Sequence, residues 1–297
     1  MKIALIVAPQ LASSFESIKA HLEEVGNEVL VVEYSKGIRQ TLIDELPQVC
    51  YVDASLGEAL IPLGELLECL GIEYAGSSAF VRTMTADPRA VAHNLGVFTD
   101  LTGEYATAGV SHGMYISTQI SSMLEAQELS RLVKSRIPGG YPVWVQNTTS
   151  STVGVINSEE EMKAVLQAAS ETNTALFVSS YSEGVALTVP VLGSGANAYA
   201  LCPIELGTLE AVRSEVLSHD AGSAEAIRCE IERAALEVYQ ASGLLDYGCV
   251  DVLWDGAQVA IVRLNPSPAI VGKTPFSQAC KVAGISLPGL FDALLSA

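Results

Sequence analysis

From Ile3 to Ala8 every residue is apolar, and the opening run KIALIVA constrains the fold more than any other feature of the chain. A strand that is apolar on both sides has to be covered on both sides, the condition of a parallel sheet sandwiched by helices. The following residues supply cover and neighbours. Ser13 to Gly26 reads as a helix closed by glycine, EVLVVEY as the next strand, VCYVDA as a third, and Glu58 to Gly71 as another helix. Strand and helix alternate in this way over residues 1–95, which predicts a doubly wound, Rossmann-like α/β domain.

Two further segments repeat the mixture. Over 96–183 the pattern predicts a helix from Ser121 to Arg136, strands PVWVQ and TVGVI, and a helix from Ser158 to Glu171. The spelling Ser158-Glu-Glu-Glu161 is that of a capping box. Strand ALFVSSY ends the segment. Over 184–297 come strands ALTVPVLG and AYALCPIEL and a long helix from Ser223 to Ser242. A hairpin, YGCVDVLW–DG–AQVAIVRLN, and two short helices close the chain. Asp255-Gly256 is the turn signal of that hairpin. Three α/β modules in succession place a ligand cleft between domains.

Composition narrows the function. Hydrophobic residues make up 49% and charged residues 17%, enough apolar side chain for a sizeable core and too little polarity for disorder. A net charge of −18 repels nucleic acid and anionic lipid, so neither is an expected partner. Gly184 to Ile204 is uncharged after Glu183, but Pro190, Gly193, Gly195 and Pro203 break it, and it alternates as strands rather than spanning a membrane. The cysteines at 50, 69, 202, 229, 249 and 280 form no C-x-x-C or Cys/His group and read as buried, reduced thiols of a cytoplasmic protein. The histidines at 21, 93, 112 and 219 are scattered. No G-x-x-x-x-G-K-[ST] loop, G-x-G-x-x-G fingerprint or G-x-S-x-G elbow is present.

Four segments nonetheless stand in a telling order: LLECLGIEYAGSS (66–78), SSTVGVINSEEEM (150–162), SEGVALTVPVLG (182–193), and YGCVDVLWDG through VRLNPSPAI (247–270). Together they resemble the D-alanine–D-alanine ligases of the ATP-grasp superfamily, and the resemblance spans nearly the whole chain. It implies an N-terminal pre-ATP-grasp domain (1–95) followed by central (96–183) and C-terminal (184–297) ATP-grasp subdomains. It also implies the joining of two D-alanines, with ATP activating the first carboxylate. That chemistry needs cations around the phosphates, carboxylates for magnesium and donors for an oxyanion.

At the positions matching the family's motifs, other residues stand. Pro88 occupies the place of one phosphate lysine and Gln146 that of the second. The glycine-rich loop reads Ser150-Ser151-Thr152-Val153-Gly154. Ser179 and Ser180 replace the adenine-linker pair, and Ala186 replaces the glutamate for the ribose. On the metal strands Asp251 and Asn265 remain, while Arg263 takes the place of the bridging carboxylate and Cys249 that of the transition-state arginine. Ala269 replaces the oxyanion glycine. On the substrate side Ser267 persists beside it, and the family's serine falls on Thr274. In the first domain the glutamate near the substrate amine falls on Ser13, and the expected His-Gly on Ala54-Ser55. The long lid loop is missing after Glu205. Between Arg89 and Arg213 the basic residues are Arg131, Lys134, Arg136 and Lys163, which suit a solvated face better than a phosphate cradle.

These substitutions predict a degenerate ligase, a pseudoenzyme with a binding, assembly or regulatory role and without ATP or magnesium as cofactors. The alternative is an active, diverged ATP- and magnesium-dependent ligase making D-Ala-D-Ala or a similar dipeptide for peptidoglycan precursors. A small-molecule or peptide binder using the old cleft, lined by Asp251, Asn265 and Ser267, is a third expectation. A three-residue bulged turn in the hairpin would put Asp251 and Arg263 on one face, with the guanidinium in the vacant metal position. By resemblance, the chain is expected to form a homodimer through its N-terminal domain.

Overall fold

The structure is a computed structural model and describes residues 1–86, 104–107, 110–116, 123–137, 140–147, 152–171, 176–181, 183–218 and 220–295. Its chain divides into two compact units. One comprises 1–83, 186–252 and 264–297, the other 84–185 and 253–263.

The first unit opens with β1 (Lys2–Val7), α1 (Glu16–Glu24), β2 (Glu28–Glu33), α2 (Ile38–Glu45), β3 (Val49–Val52), α3 (Leu60–Leu70), β4 (Glu73–Tyr74) and α4 (Ala79–Ala86), whose C-terminal turn passes into the second unit. The strands form a parallel sheet in the order β2-β1-β3-β4. Double covering of β1 is visible residue by residue. Ile3, Leu5 and Val7 enter one core cluster with Phe15, Ile18 and Leu22, while Ala4 and Ile6 enter another with Ile38, Leu42, Leu63 and Leu67. The pairs Ile18/Leu22 and Leu63/Leu67, one helical turn apart, are the buried stripes of α1 and α3. Gly71, with φ +68°, ends α3 in the left-handed conformation that glycine adopts without strain.

The second unit holds β5 (Glu104–Thr107), β6 (Val110–Ile116), α5 (Met123–Arg136), β7 (Val143–Asn147), β8 (Thr152–Ile156), α6 (Glu159–Glu171) and β9 (Leu176–Ser180). Its strands run antiparallel in the order β5-β6-β9-β7-β8. Val133 and Ile137 from α5 and its end, and Met162 and Leu166 from α6, cover Val143, Val145, Leu176 and Val178. Ser158 caps α6 as predicted, its hydroxyl accepting from the Glu161 amide at 3.2 Å, but Glu161 reaches back to the Asn157 amide, one residue before the cap.

The chain then returns to the first unit through β10 (Val185–Leu192), β11 (Tyr199–Ala200), β12 (Ile204–Glu205), β13 (Glu210–Ala211), α7 (Ser214–Leu217) and α8 (Ala221–Ala241). The hairpin β14 (Tyr247–Trp254) and β15 (Val259–Asn265), then α9 (Pro275–Val282) and α10 (Leu287–Leu295), complete it. Phe291 of α10 meets Phe15 and Tyr51 edge-on at 6.0 and 4.7 Å, and Phe276 of α9 meets Tyr247 at 5.9 Å. The last helices thus close the core that β1 begins. The tip of the hairpin, 253–263, counts with the second unit, where Ile261 pairs in parallel with Val110.

Several expectations are corrected. AYALCPIEL is not one strand but β11 and β12, because Pro203, without an N–H, stands in the middle of the run. Of the cysteines, only 50, 249 and 280 are buried, while Cys69 and Cys229 are exposed on helices. The hairpin turn closes between Asp255 and Gln258, the Asp255 amide donating to the Gln258 carbonyl at 3.3 Å. Two residues, Gly256 and Ala257, lie at the tip, not the three of a bulged turn. Gly256, at φ +96°, occupies the first central position, where type II′ turns favour glycine. Among the described residues no helix is long and apolar enough to cross a membrane.

Candidate functional site

The hairpin and the loop after it carry the motif positions of the first unit. Asp251 on β14 is 7% exposed, and Thr188 on β10 donates its hydroxyl to Asp251 Oδ1 at 2.6 Å. A short bond from a neutral donor compensates part of the carboxylate's lost hydration. Two residues earlier, Cys249 is buried in the apolar cluster with Tyr247, Phe276 and Phe291. Asn265, at the end of β15, accepts from the Ser267 amide through Oδ1 at 3.1 Å. This local turn fixes the loop and engages the amide oxygen. The Ser267 hydroxyl oxygen is buried and has no hydrogen-bond partner among the described residues. Ala269 is exposed.

Thr274, on which the family's substrate-side serine falls, has a role in the local fold. It is the N-cap of α9: its hydroxyl accepts from the Ser277 amide at 3.1 Å, and the Ser277 hydroxyl accepts from the Thr274 amide at 3.0 Å. Pro275 follows at the first helical position, where a missing N–H costs nothing. Ser13 lies exposed in the 3₁₀ turn Pro9–Phe15 after β1, and Ala186 lies exposed on β10.

In the second unit, Gln146 sits in β7 at a register shift, opposite Thr152 of β8 and Phe177 of β9. Ser179 and Ser180 are in β9, paired with Trp144 and Val143. Arg263 is exposed on β15. Lys163 and Arg131 both lie 3.6 Å from Glu159, so these two cations are tied to a helix surface. Pro88 and the loop 148–151 lie outside the described residues.

Sequence reading overlooks two carboxylates. Asp53, 3% exposed at the end of β3, accepts from the Ser55 amide at 2.9 Å and the Tyr51 hydroxyl at 3.3 Å. Burial, with Asp53 and Tyr247 beside it, pushes the Tyr51 phenol well above its usual range. Asp246, just before β14, holds φ +60° and accepts from the Gly76 amide and the Ser194 hydroxyl. The only sequence signal for Asp53 is its place after an apolar strand, next to Ala54-Ser55. For Asp246 there is none.

The fit of a magnesium nucleotide follows from the donor set. Of Cys249, Asp251, Arg263 and Asn265, one offers a carboxylate, and that group already accepts from Thr188. Magnesium takes hard oxygen donors, with carboxylates offsetting its charge. A thiol, an amide engaged in a turn and a guanidinium do not supply them, so these residues do not fit a metal–triphosphate.

The fold itself is that of the ATP-grasp proteins. Two solved structures superpose over almost the full chain: the D-alanine–D-alanine ligase of Bacillus anthracis complexed with ATP (TM-score 0.72, 18% identity, 99% of this chain and 95% of that one) and that of Coxiella burnetii (TM-score 0.72, 15% identity, 100% and 94%). The family model described as "D-ala D-ala ligase C-terminus" matches residues 105–296. The chain therefore belongs to the D-alanine–D-alanine ligase family. Among its curated relatives, the D-alanine–D-alanine ligase of Desulforudis audaxviator is 25% identical over 95% of this chain and 91% of its own length. That of Carboxydothermus hydrogenoformans is 23% identical over 94% and 90%.

Proposed function

We propose that this chain keeps the scaffold of the ligase family without the ATP- and magnesium-dependent step, and serves in binding, assembly or regulation. One observation carries the reading. The position of the family's bridging carboxylate holds Arg263, and the sole remaining acid of the motif, Asp251, is engaged by Thr188. A guanidinium in place of a carboxylate reverses the charge that this motif position brings to the chemistry. Cys249 in place of the arginine and Ala269 in place of the glycine act in the same sense.

The names of the relatives favour a second reading, an active ATP-dependent ligase of D-alanine or a similar amino acid in cell-wall precursor synthesis. In that case a rewired set of groups holds the nucleotide. Titration calorimetry with Mg·ATP and a phosphate-release assay with D-alanine separate the two. The first reading expects no heat of binding up to millimolar nucleotide and no phosphate above background. Micromolar binding with phosphate release that depends on D-alanine overturns it. A homodimer through the N-terminal domain, a cytoplasmic location and a small molecule or peptide in the old cleft lined by Asp251, Asn265 and Ser267 belong to the same proposal. Sedimentation equilibrium tests the dimer.

A further inference from the structure

Within the first unit a cavity of about 420 Å³ opens between the turn after β10 and the helix α10. Its wall is aliphatic, built by Leu192, Ile285 and Leu290, and Tyr199 and Asp246 stand at its edge. Leu192 belongs to the 182–193 segment, but none of these five residues is among the nucleotide, metal or substrate positions considered above. The volume is within the range of small-molecule sites, and an apolar wall with few convergent polar groups is their usual makeup.

Asp246 makes the cavity selective. Its carboxylate has two partners, the Gly76 amide on Oδ2 at 2.8 Å and the Ser194 hydroxyl on Oδ1 at 3.1 Å, and both are neutral. No cation pairs with it among the described residues. The half-buried carboxylate therefore keeps lone pairs on each oxygen for a charged donor, although the Arg82 guanidinium also packs against Gly76. Its backbone, at φ +60°, is in a region few residues other than glycine occupy, and the strain holds the carboxylate at the cavity edge. Tyr199, half exposed at 50%, adds an aromatic ring to the same lining, and an aromatic face attracts a cation.

We propose that this cavity binds a primary ammonium carrying an aryl or short alkyl group, the ammonium on Asp246 and the apolar part against Leu192, Ile285 and Leu290. This site is independent of the ligase motifs and of whether the chain turns over ATP. The probe is 2-phenylethylammonium, followed by saturation-transfer NMR and calorimetry on the full chain, with 2-phenylethanol as the neutral analogue. The expected result is binding of the amine at least tenfold tighter than of the alcohol. Asp246→Asn is the charge-removing variant, since asparagine tolerates the left-handed backbone, keeps an acceptor for the Gly76 amide and can donate its Nδ2 to the Ser194 hydroxyl oxygen. It is expected to bring the amine down to the level of the alcohol. Ala293→Phe, exposed at the cavity rim, is expected to block both ligands. Equal binding of amine and alcohol, equal binding by Asp246→Asn, or no binding of the amine at millimolar concentration overturns the proposal.

Discussion

Asp246 and Asp251 stand on the same stretch of chain, at the entry to β14 and inside it, and each accepts from a hydroxyl. They differ in everything else. Asp251 is held by a side chain on a neighbouring strand, in ordinary strand geometry. Asp246 is held by a backbone amide from Gly76 and a serine from the turn after β10, in a left-handed conformation. Its own carbonyl accepts from the Gly193 amide at 2.7 Å, and its own amide donates to the Ser194 hydroxyl at 2.8 Å. One carboxylate is the residue of an inherited motif. The other is a bracket that ties three segments together. The difference teaches that family position and structural weight are separate properties of a buried acid.

The hardest blow to the bracket is Gly193→Ala. Gly193 has φ +89°, and a Cβ there would stand 2.6 Å from the Asn197 carbonyl oxygen. Strain and clash together are expected to cost about 3 kcal/mol, read as a drop in the urea midpoint. A loss below about 1 kcal/mol would show that the turn yields easily and that Asp246 is not rigidly held. A smaller effect is expected at the motif acid. Thr188→Val keeps the volume and removes the donor, leaving the buried Asp251 short of a hydrogen bond at about 2 kcal/mol. If Thr188→Val is neutral, the bond at Asp251 is dispensable and the contrast with Asp246 sharpens.

The mildest test uses pH. Burial pushes the Tyr247 phenol, next to Asp246, up to about 12. In the unfolded chain a phenol ionises near 10. The folded state thus binds more protons between these values, so the stabilising term is whole below about 10 and is lost as pH rises towards 12. Urea midpoints are expected to fall over that window, and less steeply in Tyr247→Phe. An equal slope in the variant would remove Tyr247 from the account.

How much of this was readable beforehand depends on whether a feature is local. Continuous apolar runs announce β1 and β3, and glycines mark the ends of α1 and α3, because strand covering and helix termination are written in adjacent residues. Helix α2 escapes notice: it is eight residues long and starts after Gly37 with no side-chain cap. Strands β5 and β6 escape because Glu104–Ile116 mixes small, polar and aromatic residues without a clear period. The motif positions are readable as identities, but their tasks are not. Thr274 reads as a substrate residue, yet the Thr-Pro-x-Ser spelling is equally that of a helix start, and the cap is what the structure contains. Asp246 is illegible because its partners are distant: the amide it accepts from belongs to residue 76.

The first unit is assembled from three separate stretches, and its aromatic centre joins Phe15 and Tyr51 from the first to Phe291 from the last. During synthesis, therefore, the opening sheet waits. Its strands can pair as soon as β3 has emerged, and α1 lays Ile18 and Leu22 against Ile3 and Leu5, but the part of that cluster filled by Phe291 stays greasy and open until α10 leaves the ribosome. A chaperone that shields such a surface has some two hundred residues of elongation in which to act.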